Sequence, residues 1–445
     1  MSSGEEDRRS GRGVARGAWA RSARLLQLPL GAAARTTSGL GRRLTGQSAE
    51  QVSTRSRELA AQQLFTVLGE LKGGAMKFGQ LLSVYEAMLP EEIAAPYREH
   101  LRRLQDSAPP MPAARVHAVL AKELGPDWRS MFSRFDDRPV AAASLGQVHR
   151  AAWAGNGAEV AVKVQYPGAD EALRSDLKQL RRLGHLVEPF AGAIDMGPLI
   201  DELTARVSEE LDYRIEAANQ QQAAESFAGD AEFCVPEVLT HTPRVMVSDW
   251  VEGPALGSAA ALPPEERNAW GLRYARFLFA GPSRAGMLHA DPHPGNFKVT
   301  DDGRLGVVDF GLVSRMPDGL PPAIGRLLSL ALGDDARTVA DGLRTEGFVD
   351  DSVDAQTLLD FLSPFVEPAR HQSFHFDRAW LRGEYERVRA VSGRRDIGSQ
   401  INLPPEYLLV HRVWMGGIAV LAQLDVHADF GDVLTEFLPG YQPAG

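Results

Sequence analysis

The sequence predicts an α+β fold of two lobes, and three observations lead to this prediction. Apolar runs at Val140–Arg150, Val160–Val164 and 245–253 read as strands of a small lobe. Residues 253–445 are interrupted by prolines but are otherwise helix-like, as a larger helical lobe would be. A chain of 445 residues has room for one bilobal domain of about 300 residues together with extensions.

Composition shifts along the chain divide it into four parts. Residues 1–50 form a basic extension rich in Gly and Arg. Residues 51–130 form a helical extension, which is broken at Pro109–Pro112. Residues 131–252 form the small lobe, and residues 253–445 form the large helical lobe.

Two motifs in the predicted large lobe carry the chemistry. Asp291 and Asn296 are five residues apart, and Asp309 follows Asn296 by thirteen residues within Asp309-Phe310-Gly311. Phosphoryl transfer on a protein-kinase-like scaffold needs such a set, in which one Asp orients or deprotonates the acceptor hydroxyl and an Asn and a second Asp hold Mg²⁺. We therefore predict Asp291 as the catalytic carboxylate, and Asn296 and Asp309 as metal ligands.

The small lobe contains a candidate phosphate-binding lysine. Lys163 sits in an apolar strand, where a cation is costly unless it is paired. The alternative is a solvated lysine on an edge strand, and the downstream motifs argue against it. Leu203–Ala224 lacks Pro and Gly and reads as a helix, so Asp212 and Glu216 share one face. We assign Glu216 to Lys163 and leave Glu210 and Asp212 as extra carboxylates at the mouth of the site; a solvated acidic face is the alternative.

The segment expected to cover the phosphates departs from the glycine-rich pattern of protein kinases. Alanine carries a Cβ and disfavours positive φ, so this loop should be stiffer and should cradle a nucleotide differently. The predicted nucleotide-binding residues of the loop are Ala141, Ala142, Ala143, Ser144, Gly146 and Gln147. The backbone near Trp250 and Val251, where the third strand enters the hinge, should hold adenine.

Two further departures concern the large lobe. Ala290 stands where kinases have an Arg before the catalytic Asp, and no Ala-Pro-Glu follows Asp309-Phe310-Gly311. A phosphorylated activation loop and a peptide platform are therefore expected to be absent. Upstream, Lys77 and Gln80 are spaced i,i+3 in a helical pattern from about Thr54 to Met88. A lysine on a helix is ordinarily solvated surface.

Taken together, these motifs resemble the UbiB or aarF-domain-containing atypical kinase family. The resemblance rests on Lys-x-Gly-Gln at Lys77–Gln80, the Ala-rich loop at Ala141–Gln147, Glu-x-Asp at Glu210 and Asp212, and His-x-Asp-x-His-Pro-Gly-Asn at His289–Asn296. It covers roughly residues 50–320. It implies a bilobal kinase-like fold whose Lys-x-Gly-Gln helix folds over the substrate site, with Lys77 meeting Glu210 and Asp212. Lys77, Gln80, Glu210 and Asp212 are thereby added to the catalytic set of Asp291, Lys163 and Glu216.

The resemblance also implies a function. Members of the family carry out ATP-dependent phosphoryl chemistry or ATP hydrolysis in support of isoprenoid-quinone metabolism, often at a membrane. The expected cofactors are ATP or ADP and Mg²⁺, and the expected partners are a lipid or quinone precursor and a membrane surface. Two alternatives stay open, namely a protein kinase and a non-catalytic nucleotide-binding scaffold.

Charge, cysteine content and hydropathy limit the classes of partner and the cellular compartment that fit this chain. A net charge of −10 argues against nucleic acid as a partner of the body of the protein. The single cysteine, Cys234, excludes internal disulfides and fits a reducing cytosol. No run of 18 apolar residues occurs, so no transmembrane helix is expected.

The N-terminal segment is basic. Nine Arg and no acidic residue occur from Arg8 to Arg43, and one helical face there is apolar. Such a segment can lie on an anionic membrane; a disordered tail and a transit peptide are the alternatives. We expect a cytoplasmic protein with peripheral contact at the inner face of a membrane.

Overall fold

The computed structural model describes residues 110–143, 146–168, 211–333, 335–349, 354–371, 373–392 and 405–443. Apart from Gly168, these residues belong to one compact unit of the chain. Several sequence predictions fall outside the described residues, and these are the basic N-terminal segment, Lys77, Gln80, Ser144 and Glu210.

The described residues form both helices and strands, and the α+β prediction is confirmed. The helices are α1 Ala113–Leu124, α2 Tyr213–Ser226, α3 Pro264–Ala285, α4 Pro322–Leu332, α5 Ala336–Thr345, α6 Ala355–Arg370, α7 Arg378–Ser392, α8 Pro405–Leu424 and α9 Gly431–Phe437. The strands are β1 Phe132–Phe135, β2 Ala141–Ala143, β3 Gly146–Trp153, β4 Glu159–Gln165, β5 Phe233–Cys234, β6 Val238–His241, β7 Val245–Asp249, β8 Met287–His289, β9 Phe297–Val299, β10 Leu305–Val307, β11 Val313–Arg315, β12 Phe374–Phe376 and β13 Val426–Ala428.

The small lobe is built on one antiparallel sheet. Its strand order is β1-β3-β4-β7-β6, and β2 pairs with β3. The sequence predicts one strand from Val140 to Arg150, but the structure has a hairpin in which Ala141 faces Val148 and Ala143 faces Gly146. The described residues of the segment predicted to cover the phosphates are therefore paired residues of β2 and β3. Strand β3 continues against β4, where Val148 is the cross-strand neighbour of Lys163.

Helix α1 belongs to the small-lobe core. Its buried residues Val116 and Leu120 pack in one hydrophobic cluster with Val160 and Val162 of β4 and Val247 of β7. Burying a side chain of this size contributes roughly 1.5–3 kcal/mol. The boundary predicted at residue 130 passes through this core, because the apolar face of α1 completes the covering of the sheet.

Helix α2 begins later than the sequence pattern indicates. Leu203–Ala224 is predicted as one helix, but Asp212 has extended backbone angles and its side chain accepts a hydrogen bond from the Arg214 amide, as an N-cap does. Asp212 therefore precedes the helix and does not share a helical face with Glu216. The helix runs from Tyr213 to Ser226.

The large lobe packs around α3. This helix has a proline at its first position, where no intrahelical donor is lost, and ends at Gly286 in the left-handed conformation (φ +62°). The buried face of α3 includes Tyr274 and Phe277, which lie in the same cluster as Leu288 of β8 and Phe297 of β9. In the part of the chain that the structure describes, no helix is both long and apolar enough to span a membrane.

Candidate active site

An ion pair between the small-lobe sheet and α2 forms the centre of the site. The Lys163 ammonium lies 2.6 and 2.8 Å from the two carboxylate oxygens of Glu216 and 3.4 Å from one carboxylate oxygen of Asp309. Burial disfavours the charged form of Lys163, but the carboxylates of Asp309 and Glu216 outweigh burial and raise its pKa well above the ordinary value. The structure thus brings together the Lys and Glu that the sequence assigns to each other.

Tyr213 and Gly146 form the wall around Lys163. The ammonium lies 5.2 Å from the centre of the Tyr213 ring, within the range of a cation–π contact. A Cβ on Gly146 would stand 2.3 Å from the Val164 carbonyl oxygen and 2.8 Å from the Tyr213 hydroxyl. Gly146 is therefore required by close packing of the hairpin on β4.

The predicted catalytic loop, residues 290–296, follows β8 and is tied to the segment that carries Asp309. Nε2 of His289 lies 2.5 Å from the Asp309 carbonyl oxygen. A carbonyl can only accept, so this nitrogen carries the proton. Burial lowers the pKa of His289 against the opposing effect of the Asp291 and Asp309 charges, which keeps the ring neutral. Through this contact His289 anchors the loop to the segment that carries Asp309.

Two local features hold Asp291 in place, namely the burial of Ala290 before it and a hydrogen bond within its own loop. The amide of Ala290 donates to the Leu312 carbonyl at 3.0 Å, and Ala290 is 3% exposed. A buried position of this kind has no room for the arginine of ordinary kinases. Asp291 itself accepts a hydrogen bond from the His293 amide at 3.3 Å. The carboxylate is thus oriented by its own loop.

Asn296 and Asp309 offer oxygen atoms suited to Mg²⁺. The Asn296 amide nitrogen donates to the Asp291 carbonyl at 3.2 Å, and the amide oxygen is the group that a metal would use. One Asp309 oxygen accepts from the Gly311 amide at 2.9 Å, and the side chain is 38% exposed. Among the described residues no group of three or more His, Cys, Asp or Glu could hold a metal. Two protein oxygens fit Mg²⁺, which usually keeps waters and binds substrate phosphates.

The side chain of Gln147 is buried and engaged with other protein groups, so it does not line a nucleotide site; a role for its backbone stays a prediction. It is 1% exposed, accepts a hydrogen bond from the Met111 amide at 2.8 Å and donates to Nε2 of His149 at 2.8 Å. Side chains alternate between the two faces of a strand, and that of Gln147 lies on the face that His149 also occupies. Of the other described loop residues, Ala141–Ala143 form β2 and Gly146 begins β3.

The hinge prediction needs one correction. The Trp250 amide donates to the Glu159 carbonyl at 3.0 Å as an extension of the sheet, so it has no proton left for adenine. The Trp250 indole donates to Glu252 at 2.8 Å and lies under the Arg150 guanidinium. Val251 lies beside Gly306 of β10, and a role for its backbone stays a prediction.

Asp212 is placed differently from the prediction. Its carboxylate pairs with the Arg214 guanidinium at 2.6 Å. The hydrogen bond from Arg214 lowers the pKa of Asp212, and this effect outweighs burial, which raises it. The predicted pairing with Lys77 lies outside the described residues. The N-cap role was readable from the sequence, because Asp ahead of a helical pattern is a common start signal.

Three residues that contact the site were missed by the sequence reasoning. Tyr274 donates to the Pro292 carbonyl at 2.6 Å, and Asn219 donates to the Phe310 carbonyl at 3.3 Å. Arg315 donates to the Asn219 side chain at 2.9 Å. Of these, only Asn219 had a local signal, because it lies three positions after Glu216 and so on the same helical face.

Comparison with known proteins identifies the family. The ABC1 atypical kinase-like domain matches residues 103–342, which is more than half of the chain. The chain belongs to the ABC1 atypical kinase-like family. This membership confirms the resemblance drawn from the motifs. One relative in Arabidopsis thaliana is described as an aarF domain-containing protein kinase. It is 34% identical over 277 residues, and the match covers 61% of this chain and 38% of the relative.

Other ABC1 family relatives are similar over long stretches. The chloroplastic Protein ACTIVITY OF BC1 COMPLEX KINASE 3 of Arabidopsis thaliana is 32% identical over 389 residues, covering 84% of this chain and 51% of the relative. The mitochondrial atypical kinase COQ8 of Schizosaccharomyces pombe is 27% identical over 407 residues, covering 90% and 66%. This chain spans about half the length of the curated relatives that it matches.

A solved structure is similar to this chain in both sequence and fold. It is described as the complex structure of Rv3197-erythromycin from Mycobacterium tuberculosis. The two chains are 40% identical with a TM-score of 0.68, and the match covers 88% of this chain and 99% of the other. The kinase-like fold predicted from the sequence is confirmed by the family match.

Proposed function

We propose that this protein is an ATP-dependent phosphotransferase or ATPase that uses Mg²⁺ and acts on a small molecule, a lipid-linked group or water. The observation that carries the proposal is the contact of Lys163 with both Glu216 and Asp309. This contact brings together the cation proposed to bind phosphates, the helix that orients that cation and the carboxylate proposed to bind the metal. Asp291 and Asn296 are held on the adjoining catalytic loop.

Each group then has a role in phosphoryl transfer. Lys163 binds the phosphates of ATP, and Asn296 and Asp309 hold Mg²⁺, which neutralises charge on the phosphates. Asp291 orients the hydroxyl of the acceptor and takes its proton. As the acceptor oxygen bonds to the γ-phosphorus, the bond from that phosphorus to the β,γ-bridging oxygen breaks and ADP leaves. With water as acceptor, the products are ADP and inorganic phosphate.

The class of acceptor is proposed from what the chain lacks and from its relatives. No Ala-Pro-Glu follows Asp309-Phe310-Gly311, so no peptide platform is expected. From the family resemblance we expect Lys77 and Gln80 to lie over the substrate site, where they would disfavour a protein acceptor sterically. The resemblance also suggests a role in isoprenoid-quinone metabolism with a lipid or quinone precursor at a membrane surface, in keeping with relatives named COQ8.

The decisive experiment measures Mg²⁺-dependent phosphate release from ATP, with and without anionic liposomes. The variants are Asp291→Asn and, as a matched control, Asp341→Asn, which changes an exposed carboxylate on α5. We expect turnover in the wild type and the control, a loss of roughly 10²–10⁴-fold in Asp291→Asn, and nucleotide binding in all three. Full activity in Asp291→Asn would refute the role of this carboxylate.

Two further variants and one further probe refine the proposed roles of the residues and the class of ligand. Asp309→Asn should weaken the dependence of nucleotide binding on Mg²⁺, and an unchanged dependence would contradict its role as a ligand. Lys77→Ala should alter nucleotide preference, whereas identical kinetics would make Lys77 a surface residue. Erythromycin belongs among the probes, because the similar mycobacterial structure is described with it. Bound ATP without turnover under any condition would favour a scaffold, and phosphorylation of a protein in trans would favour a protein kinase.

A further inference from the structure

Helix α2 is joined to the large lobe by polar side chains along one face. Gln222 donates to the Ala285 carbonyl at 2.8 Å, at the end of α3. Asn219 donates to the Phe310 carbonyl at 3.3 Å, next to Asp309. The Arg315 guanidinium, at the end of β11, donates to the side-chain oxygens of both Asn219 and Gln222. The helix that carries Glu216 is therefore bonded to three separate parts of the large lobe.

Asn219 is the centre of this arrangement. It is 4% exposed, and both polar atoms of its amide are used. A carbonyl can only accept and a guanidinium can only donate, so the nitrogen of Asn219 must face Phe310 and its oxygen must face Arg315. No other side chain of this size offers one donor and one acceptor in that order; Asp lacks the donor, and Leu lacks both.

The same contacts connect the groups that the proposed reaction uses. Phe310 follows Asp309, whose carboxylate faces the Lys163 ammonium. Strand β11, which ends at Arg315, is paired with β8, where Val313 faces His289 and Arg315 faces Met287. Strand β8 leads directly to Asp291. A shift of α2 would therefore break contacts to the metal-binding segment and to the strand beside the catalytic loop.

We infer that Asn219, with Arg315, is a positioning residue that holds Glu216 on Lys163 by fixing α2 to the Asp309–Gly311 segment. The inference rests on the proposed function, because it assigns Lys163 to nucleotide phosphates. The contacts that hold α2, which we call the latch, are made by the uncharged amides of Asn219 and Gln222 and by one arginine of the chain itself, Arg315. The pairing of Lys163 with Glu216 therefore needs no phosphorylated residue after Gly311, which fits the expectation that a phosphorylated activation loop is absent.

A double-mutant cycle on ADP and ATP affinity tests the inference. The variants are Asn219→Ala, Glu216→Gln and the two combined, with titration calorimetry in the presence of Mg²⁺. If Asn219 acts through Glu216, each single variant weakens binding by about tenfold and the double variant by little more than tenfold. A loss near one hundredfold in the double variant means that the two act independently, and this would overturn the inference.

Arg315 supplies a second, milder variant. Arg315→Lys keeps the charge but cannot donate to two side chains in the geometry of a guanidinium, so affinity should fall severalfold. Arg304→Gln is the matched control, because Arg304 pairs with the exposed Asp302 in the turn between β9 and β10. An Arg315→Lys variant that binds nucleotide as the wild type does would count against the latch, as would an equal loss in the control.

The outcome for the wild type separates the two proposals. Nucleotide binding by the wild type with additive losses would overturn this inference alone. A wild type that binds no nucleotide would overturn the proposed function and this inference with it. Hydrogen exchange of residues 213–226 provides an independent readout, and Asn219→Ala should speed exchange there while Arg304→Gln leaves it unchanged.

Discussion

The hydroxyl of Tyr274 lies 2.6 Å from the carbonyl oxygen of Pro292, the residue directly after Asp291. Tyr274 is fully buried in α3, and burial, reinforced by the Asp291 charge, raises its pKa well above the ordinary value. The hydroxyl therefore stays protonated and donates at any working pH. A buried helix of the large lobe holds the catalytic loop through this contact.

Tyr274→Phe should lower kcat more than it lowers nucleotide affinity. The loop loses one anchor next to Asp291, and small displacements of a catalytic group reduce the rate; we expect a decrease of about tenfold. The free energy of unfolding should fall by roughly 1 kcal/mol, and somewhat more if the Pro292 carbonyl stays unpaired. Steady-state kinetics with calorimetric binding check both. Tyr441→Phe, the same change near the C-terminus, should leave kcat unaltered; equal kcat in the two variants would contradict the anchoring role.

Removing Lys163 should destabilise the fold, and removing its partner as well should repair that damage. Lys163→Met leaves Glu216, whose side chain is 6% exposed, without its cation, at a cost of about 3 kcal/mol. The double variant Lys163→Met/Glu216→Met should recover most of this stability while binding no nucleotide. Urea unfolding and titration calorimetry separate the two effects. If the double variant were as unstable as Lys163→Met, the burial of the charge would not be the cause.

Stability should fall in mild acid because of His149. Nδ1 of His149 lies 2.8 Å from the Asp136 carbonyl, and Nε2 faces the Gln147 amide nitrogen, so the ring is held as one neutral tautomer. Burial lowers its pKa, despite the backbone contact to Asp136. With a folded pKa below the unfolded value near 6.5, the unfolded chain binds the proton first. The contribution of neutral His149 to the free energy of unfolding is therefore complete above about pH 6.5, and it is lost as the pH falls from there through the folded pKa of His149.

The measurement is urea unfolding from pH 8 to pH 5. For His149 alone the loss is at most about 1.4 kcal/mol per pH unit in this window. His149→Phe should be less stable than the wild type at pH 8, because it loses two hydrogen bonds, but it should show a shallower decline below pH 6.5. Parallel declines in the two proteins would show that His149 is not the titrating group.

Gly146→Ala should damage the small lobe. Its Cβ would lie 2.3 Å from the Val164 carbonyl oxygen, a backbone atom of β4 that cannot turn aside. Overpacking of this kind costs typically about 1–3 kcal/mol. Gly155→Ala is the control, because its Cβ would meet only Trp153 atoms at 3.4 Å. Thermal unfolding of the two variants checks the prediction, which equal melting temperatures would rule out.

Local motifs carried most of what the sequence could predict about the site. Lys163, Asp291, Asn296 and Asp309 lie in short runs whose spacing is visible without a structure, and the pairing of Glu216 with Lys163 followed from their order. The inward side chain of Gln147 was not predicted because a loop and a strand edge look alike in sequence, and the alternation that turns it inward depends on where β3 begins.

Other features depend on contacts between distant parts of the chain. The bond from Tyr274 to Pro292 joins a helix to a loop 18 positions later, and the tyrosine reads simply as a core residue of an amphipathic helix. Asn219 and Arg315 are 96 positions apart. The use of the Trp250 amide by the sheet follows from its pairing with Glu159, which no local pattern reveals.

The packing of α1 has a practical consequence for anyone shortening this protein. A fragment that starts at residue 131 would strip Val116 and Leu120 from the sheet and remove the Met111 amide from Gln147. Val160, Val162 and Val247 would then face water as a bare apolar surface, which favours aggregation. A fragment meant to keep the small-lobe core should therefore begin before Pro110.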